Sequence, residues 1–214
     1  MLNASERTRV IKKVLEKAAG FLPIQEEAET ICRQCPPEEC LTYALGFYQE
    51  EPYQVQELGV FILGIIAARS QEAVVFLKDT VSRNGNWRVQ ETLAKAFDTY
   101  CRDNGYEKCL PVIREWLGDE TANTRRAVTE GLRIWTGRPY FKERPSVAIE
   151  LLAAHRDDES EYVRTSVGNA LRDISKKFPV LIEEELKTWD LSDKRVLQTS
   201  KLAGKFIARQ MRPE

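Results

Sequence analysis

The sequence predicts an all-α fold of stacked helix pairs, and three observations point to it. Apolar residues recur at helical spacing through most of the chain, as at Leu93, Ala96, Phe97 and Tyr100 or at Val167, Ala170, Leu171 and Ile174. Alternating Val/Ile/Thr runs joined by hairpin turns are missing from the sequence. Segments 50–67, 84–100, 119–135 and 158–175 also resemble one another at offsets of 34, 35 and 39 residues. Offsets of that size between helical segments are the signature of repeated helix pairs.

The reading specifies a right-handed α-solenoid of HEAT-like pairs with a concave groove, about ten to twelve helices in a single domain over 1–214. Residues 1–49 are additional N-terminal helices, the first marked by Val10, Val14, Leu15 and Ala18. The run CRQCPPEEC (32–40) breaks the chain at its two prolines, with Cys32 packed as a small apolar residue near a helix end. The repeats occupy about 50–210. In them Val55, Val89, Thr124 and Val163 correspond, and so do Leu63, Phe97, Leu132 and Leu171 on the core face. Residues 105–119 and 144–158 supply first helices of pairs, with Pro111, Pro145 and Pro179 at or near helix starts. The helix through Val128, Leu132 and Trp135 belongs to the third copy, and a fifth, degenerate copy starts near Ser192.

Composition narrows the function. With 43% hydrophobic and 30% charged residues the chain is globular, and no apolar run approaches the ~18–20 residues of a membrane span. The opening MLNASERTRVIKK lacks the apolar stretch of a secretory leader, so the expected compartment is the cytoplasm. Net charge is −1, unevenly distributed: residues 1–80 carry 8 basic and 12 acidic residues. Between Thr121 and Pro145, Arg125, Arg126, Arg133, Arg138, Lys142 and Arg144 face only Glu130 and Glu143, a local basic stretch. Cys32, Cys35 and Cys40 invite a zinc reading, but no second pair or neighbouring His completes four ligands. No metal and no cofactor is expected. Glycine-rich phosphate loops and HExxH are absent, and His155, the only histidine, sits in an expected turn.

Stacking the copies places Tyr53, Trp87, Ala122 and Glu161 in one column. Glu57, Glu91, Arg126 and Thr165 form the next, and Phe61, Lys95, Glu130 and Asn169 the one after. Residues four apart share a helix face. Trp87 and Glu91 therefore point together, and Arg126 comes from the following copy. An indole, a carboxylate and a guanidinium then meet in the groove. The plainer alternative is that Trp87 staples the repeat entry and that Glu91 and Arg126 form an ordinary surface ion pair.

The segments NWRVQETLAKAFDTY, RRAVTEGLRIW and EYVRTSVGNALRDISKKFP, followed by LSDKRVLQTSKLAGKFI, resemble the AlkD-like DNA alkylation repair proteins, which comprise HEAT-like-repeat DNA glycosylases and non-catalytic relatives. The resemblance covers about residues 50–210. It implies a monomeric DNA glycosylase that excises N3- or N7-alkylated purines from duplex DNA, in the cytoplasm at the nucleoid. Such an enzyme stabilises positive charge on the deoxyribose with a carboxylate and aromatic planes. Residue by residue, Trp87 falls on the family's aromatic, Glu91 on its catalytic carboxylate and Arg126 on a groove arginine. The carboxylate is Asp in the AlkD branch, so Glu91 reaches roughly 1.5 Å further. The second groove tryptophan of that branch aligns with Asn169. Arg125, Arg133, Lys95, Arg164, Asn169 and Lys194 complete the expected DNA contacts. The other readings are a non-catalytic DNA-structure binder on the same scaffold and a HEAT-repeat protein-interaction scaffold.

Overall fold

The computed structural model describes residues 4–16 and 20–210, and every regular element among them is helical. There are fourteen α-helices and three short 3-10 turns among these residues. The excess over the sequence expectation comes from short pieces that periodicity does not register, such as α9 (Pro139–Glu143) and α14 (Lys205–Gln210). Ala18 lies outside the described residues. The chain divides into two compact units at Gly105 and Tyr106.

The first unit holds α1 (Ala4–Glu16), α2 (Phe21–Gln34), α3 (Pro37–Tyr48), α4 (Tyr53–Ile66), α5 (Gln71–Asp79) and α6 (Trp87–Asn104). Pro36 caps α3 and Pro37 is its first residue, which ends α2 and restarts the chain as CRQCPPEEC predicts. The centre of the unit is α4, whose VFILGII run is apolar on all sides. A helix of that kind is stable only when surrounded, and α1, α2, α3, α5 and α6 all pack on it. The backbones of α4 and α6 touch at Gly64, where a Cβ would lie 2.7 Å from Ala96 Cα. Phe61, placed in a groove column by the sequence, is instead buried because it belongs to this central helix.

The second unit holds α7 (Leu110–Leu117), α8 (Ala122–Gly131), α9, α10 (Pro145–Ala153), α11 (Glu161–Ser175), α12 (Pro179–Lys187), α13 (Lys194–Ala203) and α14. Here α11 is central and packs against α8, α10, α12, α13 and α14. Gly168 of α11 admits Leu202 of α13, the expected fifth copy, whose start is capped by the Asp193 carboxylate. Pro145 and Pro179 are the first residues of α10 and α12.

The repeat core follows the expected columns. Val55, Val89, Thr124, Val163, Leu63, Phe97, Leu132 and Leu171 are all buried. One helix departs from expectation: α8 stops at Gly131 instead of running through Trp135. Ile134 adopts a left-handed φ of 57°, unusual for a β-branched residue. That break turns Trp135 inward, where it is fully buried 4.8 Å from the Phe141 ring. Burying an indole against a second ring offsets the strain of one residue, about 1–3 kcal/mol, although the buried Trp135 Nε1 finds no hydrogen-bond partner among the described residues.

A polar clamp recurs at the start of α4, α6, α8 and α11. Gln56, Gln90, Arg125 and Arg164 each immediately follow the buried Val or Thr of their copy and reach back six residues. They donate to the carbonyls of Glu50 (2.9 Å), Asn84 (2.7 Å), Asp119 (2.8 Å) and Asp158 (2.6 Å). The loops are closed from the other side by Asn84, Asp119 and Asp158, whose side chains accept from the backbone N–H two residues on. Clamps also bridge to the next copy within a unit. Gln56 accepts from Asn84, Arg125 grips Asp158 through two bonds of 2.6 and 2.7 Å, and Arg164 donates to Gln198.

Two stability outcomes follow. Gly64→Ala forces a methyl onto Ala96 and should destabilise the protein by about 1–3 kcal/mol in denaturant titration; an unchanged midpoint would contradict the close approach. Arg125→Met leaves the nearly buried Asp158 carboxylate without its partner and should lower stability by about 3 kcal/mol. Arg125→Met with Asp158→Asn should recover part of that loss.

Candidate functional site

Helix α6 is amphipathic, and its polar stripe carries the residues singled out from the sequence. Val89, Leu93, Ala96 and Phe97 face the core. Trp87, the first residue of the helix, is 61% exposed; Glu91 one turn on is half-buried, and Lys95 one further turn on is exposed. Asn86 caps the helix by accepting from the Arg88 N–H, which fixes the stripe at its start. Lys95 Nζ lies 5.2 Å from the Phe21 ring centroid of α2.

Around Trp87 the first unit forms a cavity of about 300 Å³, lined by Gly20, Phe21, Ile24, Tyr53, Gln54, Glu57, Trp87 and Arg88. The Arg88 guanidinium carbon is 4.4 Å from the Trp87 ring centroid and 5.0 Å from that of Tyr53, so two aromatic rings hold one cation. Glu57 is 2% exposed in the wall of this cavity. Burial pushes its carboxyl up to about 7, against smaller opposing effects from Thr92 and Arg88. Sequence alignment placed Glu57 in one column with Glu91 but assigned it no role. The surrounding VFILGIIA run was the signal that this copy is internal, so that its carboxylate is dry.

Other expected residues lie in the second unit. Arg126 is half-buried on α8 and Asn169 half-buried on α11, while Lys194 is exposed at the first residue of α13. Arg125 and Arg164, expected among DNA contacts, are held in the repeat clamps. All three nitrogens of each guanidinium are engaged within the protein. Arg133 is held by Glu130 and Asp173. Arg138 donates to the Gly131 carbonyl, and Arg144 covers the Tyr140 ring. In the stretch 121–145, Arg125, Arg133 and Arg138 are thus engaged by the fold, while Lys142 and Arg144 remain exposed. Exposed cations of this unit include Lys142, Lys176, Lys177, Lys194 and Lys201.

The remaining candidates are structural in placement. Trp116 and Trp135 are buried, and Trp189 donates to Glu185. His155 occupies the turn after α10, and burial pulls its pKa down despite Asp158 at 3.8 Å. Cys32, Cys35 and Cys40 line a second cavity in the first unit with Arg69 and Arg102. Burial raises the pKa of Cys32 and Cys40, which keeps both as thiols at neutral pH. Among the described residues no helix is long and apolar enough to cross a membrane.

Comparison with known proteins adds the following. The family described as DNA alkylation repair enzyme matches residues 4–201. AlkD2 from Streptococcus mutans is 48% identical, with a TM-score of 0.91 over 94% of this chain and 97% of that one. The alkylpurine DNA glycosylase AlkC of Pseudomonas fluorescens, solved on DNA containing an abasic-site analogue, shares the fold at 19% identity and a TM-score of 0.53. That match covers 98% of this chain and 64% of AlkC. The protein YhaZ of Bacillus subtilis is 36% identical over 87 residues, which span 39% of this chain and about a quarter (24%) of YhaZ.

Glu57 makes stability depend on pH. Its folded pKa, about 7, lies above its ordinary 4.5, so the folded state binds the proton more tightly. The stabilisation is complete below the ordinary value and is lost as pH rises through 7. Denaturant titrations should show the protein about 2–3 kcal/mol less stable at pH 8.5 than at pH 4.5 from this group alone. Glu57→Gln should remove that part of the slope, and a parallel slope in the variant would contradict it.

Proposed function

The chain belongs to the DNA alkylation repair enzyme family, and we propose that it hydrolyses the N-glycosidic bond of N3- or N7-alkylated purines in duplex DNA. An alkylated purine is already cationic, so the C1′–N bond breaks with the electron pair leaving on a neutral base. Positive charge then develops on the deoxyribose. The catalytic requirement is a fixed negative charge beside the sugar, with water delivered to C1′. Glu91 is assigned both tasks: its carboxylate faces the sugar cation, and it accepts the proton of the attacking water. Trp87 is assigned the sugar-facing plane, adding cation–π attraction.

The observation that carries this reading is the stripe on α6. An exposed indole and a half-buried carboxylate stand one turn apart on the face that the core does not use. Val89, Gln90, Thr92, Leu93 and Ala94 of the same helix are buried, so Trp87 and Glu91 lie on a different face from the packed one. Arg126 and Asn169 are assigned to the DNA backbone, and Lys95 and Lys194 to phosphates. Phosphate neutralisation of this modest extent predicts a shallow salt dependence of affinity. Arg125, Arg133 and Arg164 are left out, since their guanidiniums are held by the protein.

A second reading, a non-catalytic DNA-structure binder, is favoured by Asn169. A carboxamide at the position of the AlkD branch's second groove tryptophan offers hydrogen bonds but no aromatic face. The two readings separate in one assay. Incubation with methylated duplex DNA should release 3-methyladenine or 7-methylguanine, and Glu91→Gln should slow release about 10²–10³-fold. Wild type that binds duplex DNA without releasing base, with binding unaltered in Glu91→Gln, establishes the second reading. Absence of DNA binding at low salt rejects both.

A further inference from the structure

The cavity beside Trp87 contains more polar chemistry than the sugar reaction uses. Glu57 is nearly sealed from solvent, yet its only hydrogen-bond contact among the described residues is the Thr92 hydroxyl, at 3.4 Å. That hydroxyl has one proton, and it lies closer to the Arg88 carbonyl, at 3.1 Å. The carboxyl group is thus left without a firm donor in a place where desolvation is costly. In the same cavity lining, Arg88 is positioned by the Trp87 and Tyr53 rings, and no hydrogen bond or ion pair occupies its guanidinium among the described residues. A buried carboxyl group with one long hydrogen bond and a guanidinium with no acceptor among the described residues line one cavity, close enough to act on each other electrostatically but not hydrogen-bonded.

A ligand that satisfies both must be flat enough for an aromatic-lined cavity of about 300 Å³. It must present two adjacent N–H donors to the carboxylate and an acceptor next to them for the guanidinium. Among the nucleobases only guanine does so. Its N1–H and 2-amino group lie side by side, and O6 adjoins them. Adenine and cytosine offer one exocyclic amine each, and uracil and thymine a single ring N–H. The cavity is at the small end of ligand sites, the size for one base and not for a whole nucleotide.

We propose that this cavity is a guanine-binding pocket, in which Glu57 accepts from N1–H and the 2-amino group while Arg88 donates to O6. The pocket shares Trp87 with the glycosylase site proposed above, but it needs no bond cleavage and stands independently of it. Its ligand is a guanine base from one of two sources, a free nucleoside or a base displaced from nucleic acid. Displaced bases are read in this way, through their pairing edge and stacking.

Isothermal titration of the whole protein tests the pocket with guanosine, inosine (which lacks the 2-amino group) and adenosine. A duplex with a single bulged guanine and its bulged-inosine counterpart are titrated in parallel. Wild type should prefer guanosine over inosine and adenosine, or bulged guanine over bulged inosine, by at least about tenfold. Preference confined to the duplexes assigns the base to DNA, and preference among nucleosides assigns it to a free ligand; both support the pocket. Glu57→Gln should erase the guanine–inosine difference, and Arg88→Met should weaken guanine while leaving that difference in place. Equal affinities in both formats, or a preference that survives Glu57→Gln in a folded variant, overturn the proposal. The wild-type comparison decides even if Glu57→Gln does not fold. Failure of base release in the methylated-DNA assay would leave this result untouched, so the two proposals fail separately.

Discussion

The repeats depend on one hydrogen-bonded arrangement: a long polar side chain that turns back from the first turn of a helix to the carbonyl six residues earlier. A loop between packed helices exposes backbone acceptors in a place that water reaches poorly, and an unmet acceptor there is costly. Gln56, Gln90, Arg125 and Arg164 meet that demand, and Asn84, Asp119 and Asp158 meet the corresponding demand of the N–H groups. Where the clamp is arginine, the guanidinium has donors to spare, and they go to the following copy. The Arg125–Asp158 pair is then an ion pair and a loop anchor together. Burial alone would raise the Asp158 pKa, but the guanidinium holds it below its ordinary range.

That arrangement decides which charges remain for a polyanionic ligand. A guanidinium gripping a buried aspartate is neutralised at short range and adds little to an external field. The basic stretch around residue 125 therefore counts for less than its composition suggests, and exposed lysines count for more. In the first unit the balance goes the other way, with 12 basic against 15 acidic residues over 1–105. A DNA-binding reading of this chain rests on placement of a few cations and on stacking, not on net charge.

Much of the fold was legible in the sequence. The repeat offsets located α4, α6, α8, α11 and α13, and the matched Val/Thr and Leu/Phe columns are core in every copy. Trp87 and Glu91 were found as a pair because helical spacing fixes which side chains share a face. What periodicity missed has physical causes. Alignment treats all copies as equivalent, yet α4 is enclosed by five other helices, which converts Phe61 to core and Glu57 to a buried acid. Hydropathy also ranks arginine as surface, while Arg164 is buried because its nitrogens match loop carbonyls and Gln198. The break in α8 depends on the packing of Trp135 on Phe141, a contact invisible to local pattern.

Glu57 and Glu91 show how one aligned column yields two chemistries. Both are the fifth residue of their helices and both lie one turn after an aromatic first residue. Glu91 is on a helix with a solvent face, where a carboxylate keeps part of its hydration. Glu57 is on a helix with no such face, so the same group is dry and its proton is held to about pH 7. The difference comes from the number of neighbours around each helix, not from the residues beside each acid. The carboxylate proposed to face the sugar is the partly hydrated copy. A pocket that selects by hydrogen-bond pattern draws on the dry one, where each unmet donor or acceptor carries a larger penalty.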